Sequence, residues 1–197
     1  MIARHLDPHG WRRNVNSRDL AELLPTVHQM CAHFLNACAR QNIEVVVVST
    51  FRDPEAQAAL YRVGRQEPGA PLTYWPPLSS WHQWRCAFDV VPLYHGRPIA
   101  ARPAPGDLVA LELWHALGEI AEVEVGLEWG GRFPAERREF GHFQHTYGRE
   151  IKHMLHGGAS ALPETIDGPV TIYGAAGSRW QRLLGLLRPA RGNGAHP

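Results

Sequence analysis

An acidic residue inside a strand-like apolar run constrains this chain more than any other feature. Asp89 stands within Cys86 to Leu93, where an unpaired carboxylate would cost on the order of several kcal/mol even after relaxation. It needs a partner. Alternation along a strand puts Ala87, Asp89 and Val91 on one face and Cys86, Phe88 and Val90 on the other, so a small side chain leaves space beside the acid and the Cys86 thiol points away. A divalent metal held by His82, Asp89 and a distant histidine supplies the partner and leaves a fourth position for water, the layout of a catalytic zinc site.

The distant histidine comes from the segment Glu139-Phe140-Gly141-His142-Phe143-Gln144-His145. In a strand His142 and Gln144 share a face while Phe143 and His145 take the opposite one, so one of the two histidines reaches the metal. We favour His142, because Glu139 lies three residues before it and can turn to the same side; His145 is its competitor. A carboxylate beside the open position completes a hydrolytic site. Zinc brings water to a pKa near ~7, and the acid takes its proton and passes it to the leaving amine.

Size and charge set the frame. The 197 residues are 44% hydrophobic, enough for one core plus a tail. The formal net charge is +1, so bulk electrostatics draw the protein neither to nucleic acid nor to an anionic membrane. Three cysteines cannot complete a disulfide framework; Cys31 and Cys38 fall on a helix face as small apolar residues, and a reducing compartment is expected. No run approaches a membrane span and no signal peptide follows Met1 to Asn16, which predicts cytoplasmic synthesis without stable membrane insertion.

The periodicity from Ser17 as N-cap through Leu20, Leu24, Val27, Cys31, Phe34 and Cys38 predicts one long amphipathic helix. Ile43 to Ser49 reads as a buried strand, and Asp53-Pro54 as the cap and first turn of a helix to about Val63. Residues 64–80 read as an irregular loop, Asp107 to Ile120 as a helix, Val123 to Val125 as a short strand and Gly141 to Thr146 as a last one. Helices and strands do not repeat as parallel units, so the fold class expected is α+β. A domain over 1–156 is followed by a linker and tail over 157–197, in which Trp180, Leu183, Leu184 and Leu187 form an apolar stripe.

Ser80-x-His82, Ala87-x-Asp89, the earlier Ser49-Thr50-Phe51-Arg52 with Gln57 and Tyr61, and Trp129-Gly130-Gly131 leading to His142-Phe143 together resemble the zinc peptidoglycan peptidases. That family holds D-Ala-D-Ala carboxypeptidases and dipeptidases and the L-alanyl-D-glutamate endopeptidases of phage endolysins. The resemblance covers about Ile43 to Gln144 and implies a Hedgehog/DD-peptidase fold, a small antiparallel sheet flanked by helices. It implies one Zn2+ on His82, Asp89 and His142, Glu139 as acid/base, and Arg52 stabilising the oxyanion of the tetrahedral intermediate. Ser80, Gln57 and Trp129 become candidates for contact with the substrate, a peptidoglycan stem peptide.

Trp-Gly-Gly before the last histidine points to the endopeptidase branch. Three positions depart from the pattern: Arg85 stands where the family usually has Gly, Arg132-Phe133 replace Asp-Trp, and Glu139 is commoner in the carboxypeptidase branch. The expectation is a monomeric endolysin-like enzyme released to the wall in a phage or prophage lysis setting. A D-Ala-D-Ala carboxypeptidase, or a silent zinc-binding or structural module, are the alternatives.

Overall fold

A computed structural model describes residues 15–157 and 162–163. The elements in chain order are α1 (Pro25–Arg40), β1 (Glu44–Ser49), α2 (Pro54–Arg62), β2 (Ala87–Tyr94), β3 (Arg97–Pro98), α3 (Leu108–Glu119), β4 (Glu128–Trp129), β5 (His142–Gln144) and α4 (Ile151–Gly157). The strands form one antiparallel sheet in the order β1-β2-β5-β4, with β3 also on β2. This is the expected α+β class. No helix among the described residues is long and apolar enough to cross a membrane, and the tail stripe at Trp180 to Leu187 lies outside the described residues.

Two elements differ from expectation. The long N-terminal helix is interrupted at Pro25: Leu24 is held extended (φ −58°, ψ 150°), as a residue before proline must be. A 3-10 turn at Leu20–Glu22, capped by the Asp19 carboxylate on the Ala21 N–H, carries the preceding apolar residues. Val123 to Val125 is not a strand. α3 runs on through a widened π-type turn at Ile120–Val125 that closes at Gly126 (φ 82°), and Val123 is exposed. The β-branched residues there continue a helix already nucleated by α3, and continuation costs less than starting a strand.

β2 is the spine of the molecule. Its pairing with β5 sets Phe88 opposite Phe143 and Asp89 opposite His142, and directly opposed residues of an antiparallel pair share a face. The two phenylalanines stack at 5.8 Å and meet Phe34 of α1, which with Trp84, Trp114 and Trp129 forms the core. Leu162 also belongs to that core. The polar pair lies on the other face. One sheet surface thus holds the hydrophobic core and the opposite surface holds the chemistry.

Candidate metal centre

Each side chain around Asp89 is aimed by its own piece of backbone. His82 sits on a single 3-10 turn, Trp81–Trp84, following Ser80. Its Nδ1 lies 2.6 Å from the Thr50 carbonyl oxygen, an atom that only accepts, so Nδ1 carries the proton and Nε2 presents a lone pair. Thr50 is itself fixed by a strap: its N–H donates to the Ser17 carbonyl and its hydroxyl to the Asp19 carbonyl. This strap, Val15 to Asp19 along Ser49 to Asp53, was not legible from residue types.

His142 is oriented by a second chain of bonds. Its Nε2–H donates to Gln144 Oε1 (2.9 Å), Gln144 Nε2 donates to Glu128 Oε2 (2.8 Å), and the Thr146 hydroxyl and N–H donate to Glu128 Oε1. A carboxylate cannot donate, so the Gln144 amide has one orientation and His142 one tautomer, with the Nδ1 lone pair turned inward. β4 brings Glu128 opposite Gln144; nothing in a two-residue strand announced it.

His82 Nε2 and His142 Nδ1 both lie 3.1 Å from the same oxygen, Asp89 Oδ1. The three donor atoms fall within 4.8 Å of one another, against about 3.4 Å between ligands around a tetrahedral zinc. Three lone pairs facing one another repel unless a cation stands between them, and the donor set fits a divalent metal. With no metal, a proton takes that part. Burial pushes the His82 imidazole down, whereas at His142 burial is overcome by the hydrogen bond and charge of Asp89 and by the charge of Glu139, and its pKa rises. Burial would raise the Asp89 carboxyl, but the imidazoles hold it well below the ordinary range.

Arg52 fixes the remaining Asp89 oxygen. Its Nη2 donates to Asp89 Oδ2 (3.0 Å) and Ser49 Oγ (3.1 Å), and its Nη1 to Gln57 Oε1 (2.9 Å). Nε is buried without a partner. Gln57 is fully buried and also donates to the Trp75 carbonyl, so it braces Arg52 and the long loop. Trp129 is equally buried, its Nε1 donating to the Phe140 carbonyl. Neither Gln57 nor Trp129 lines a cavity at the site.

The glycines after Trp129 explain that motif. A Cβ on Gly130 would lie 2.4 Å from the Glu139 carbonyl oxygen, and one on Gly131 2.2 Å from the Trp129 ring. Only without side chains can Glu139 N–H reach the Gly130 carbonyl and His142 N–H the Glu139 carbonyl. Glu139 is thereby delivered beside the histidine. Its Oε1 is buried with no hydrogen-bond partner, and burial, aided by the Asp89 charge, raises its pKa against the pull of His142 and Arg52.

The sequence model of the VanY family, described as D-alanyl-D-alanine carboxypeptidase, matches residues 21–98. The chain is 30% identical over 127 residues to the peptidoglycan L-alanyl-D-glutamate endopeptidase CwlK of Bacillus subtilis (strain 168), covering 62% of this chain and 75% of that one. The chain belongs to the VanY family of peptidoglycan peptidases. Among solved structures, the L-Ala D-Glu endopeptidase ChiX of Serratia marcescens is 21% identical, with a TM-score of 0.45 over 72% of this chain and 94% of that one.

The VanY match contains Arg52, Ser80, His82 and Asp89 and ends before Glu139 and His142. It also contains the departure at Arg85, whose backbone is left-handed (φ 62°), the conformation glycine adopts without strain. The side chain turns away from the cleft: its Nη1 donates to the Glu22 carbonyl (2.9 Å), it pairs with the Glu22 carboxylate, and its guanidinium lies 4.1 Å from the Phe51 ring centre. The second departure is lined up differently. Phe133 faces the His142 ring at 5.9 Å, while Arg132 pairs outward with Glu122.

Two cavities meet at His142. The larger, about 380 Å³, has Ser80, Trp75, Trp81 and Phe133 in its walls; the smaller, about 210 Å³, has Asp89 and Glu139. His142 thus stands in both walls, with Asp89 and Glu139 beside it in the smaller cavity.

Proposed function

We propose that this VanY-family protein is a zinc-dependent peptidase that hydrolyses the L-alanyl-D-glutamate bond of the peptidoglycan stem peptide. The observation that carries the reading is the convergence of His82 Nε2, His142 Nδ1 and Asp89 Oδ1, with both histidine tautomers set from behind. His82, Asp89 and His142 would hold one zinc ion, which when bound supplies Lewis acidity for the activation of water and the scissile carbonyl.

The chain's own groups do the rest. Glu139, with its raised pKa, accepts the proton of the attacking water and returns it to the amine nitrogen as the C–N bond breaks. Arg52 keeps Asp89 in place, and its fixed charge offsets the negative charge developing on the carbonyl oxygen. Ser80 stands in the wall of the larger cavity as a polar contact for the substrate backbone.

Mass spectrometry of fragments from purified peptidoglycan, digested by the zinc-loaded protein, tests the reading. A new amino terminus on D-Glu is expected, lost on chelation. Release of terminal D-Ala alone would instead establish the D-Ala-D-Ala carboxypeptidase, the second reading, which the description of the matching family favours.

A further inference from the structure

The larger cavity carries charge that the metal centre leaves unused. Four ionic side chains line it besides His142: Glu128, Glu150, Arg137 and Arg149. Both carboxylates are already engaged. Glu128 spends its two oxygens on Gln144 and Thr146, and Glu150 pairs with Lys152 at 2.9 Å. The two guanidiniums, among the described residues, have no carboxylate within ion-pair distance.

Arg137 is nonetheless held. It closes a 3-10 turn, Ala135–Arg137, and its guanidinium stands 5.6 Å from the centre of the Trp75 ring, which restrains it while leaving its N–H groups to donate. An aromatic-walled pocket with two uncompensated cations, opening beside the scissile position, is built for a ligand with an anionic group next to the bond being cut.

We infer that this cavity is an anion subsite in which Arg137, supported by Arg149, takes the free carboxylate of an acidic residue adjoining the scissile bond. The inference rests on the endopeptidase reading for the identity of that residue. A glutamate has two carboxyl groups, and continuing the peptide uses one, so the other is free beside the cleaved amide. Specificity then resides in charge: stem peptides whose glutamate is amidated offer Arg137 a neutral, weaker partner and leave the cations uncompensated.

Calorimetric titration of the zinc-loaded Glu139→Gln protein separates binding from cleavage. The probes are N-acetyl-L-alanyl-D-glutamate γ-methylamide, with its α-carboxyl free, and the same compound as its α-carboxamide. The acid is expected to bind at least about tenfold tighter. Arg137→Gln should bring the two to within roughly threefold, whereas Arg138→Gln, which removes the same charge from an exposed neighbour outside both cavities, should leave the preference intact. Equal binding of acid and amide by the parent, or a preference that survives Arg137→Gln combined with Arg149→Gln, would overturn the subsite. Incubation of the acid probe with the zinc-loaded wild-type protein reads the other claim: preference without hydrolysis sinks the endopeptidase and keeps the subsite, and hydrolysis without preference does the reverse.

Discussion

The environment of Glu139 opposes its charge, and two opposite consequences follow from that. Burial raises its carboxyl pKa, so the folded protein keeps this proton at pH values where the unfolded chain has lost it. Stability from the group is then full below the ordinary carboxylate range and drains away as pH rises through the raised value. Glu139→Gln removes the titration. The metal-free variant should melt above the metal-free parent at about pH 8, with the gap closing below about pH 4, while kcat/KM of the loaded enzyme falls by roughly 10²–10⁴-fold. Thermal melts across pH beside peptide-release rates check both. Gln144 offers a second test at this scale. Gln144→Ala leaves the His142 tautomer unset and should weaken zinc binding by roughly 10–100-fold in a chelator competition, whereas Glu128→Gln keeps an acceptor for the Gln144 amide and should stay within a few-fold.

At the scale of elements, the 3-10 turn that carries His82 ends at Arg85, and its left-handed backbone there has a measurable cost. Arg85→Gly removes the backbone strain but loses the Glu22 and Phe51 contacts; Arg85→Ala loses the contacts and keeps the strain. Both should destabilise, alanine by about 1 kcal/mol more than glycine, as read from denaturant midpoints. Local signals of this kind are what a sequence displays well. Asp53-Pro54 caps and starts α2 as expected, with the Asp53 side chain accepting from Ala56 N–H, and the alternation of β2 and β5 sorts Asp89 and His142 from Phe88 and Phe143. Signals that depend on pairing partners were hidden: β4 is two residues long, and the Val15 to Asp19 strap takes the Thr50 N–H and hydroxyl on the Ser17 and Asp19 carbonyls, acceptors that any residue there would offer. Pro25 marks the break in the residues themselves, whereas apolar spacing read alone runs straight across it.

For the whole molecule, the proposed metal position joins segments separated by up to sixty residues of chain, from the turn at His82 to β5 at His142. Binding there ties the sheet to the 3-10 turn, so the metal should act on global stability and not only on activity. Zinc at about a hundred times its Kd is expected to add about 2.7 kcal/mol to the unfolding free energy, and the gain should vanish on chelation and in His142→Ala. Diffraction at the zinc absorption edge, from crystals of the protein loaded with one equivalent of zinc, tests the convergence of the three ligands most directly. One anomalous peak is expected within about 2.0–2.2 Å of His82 Nε2, His142 Nδ1 and Asp89 Oδ1. A peak elsewhere, or none there in protein that retains its zinc, would contradict it.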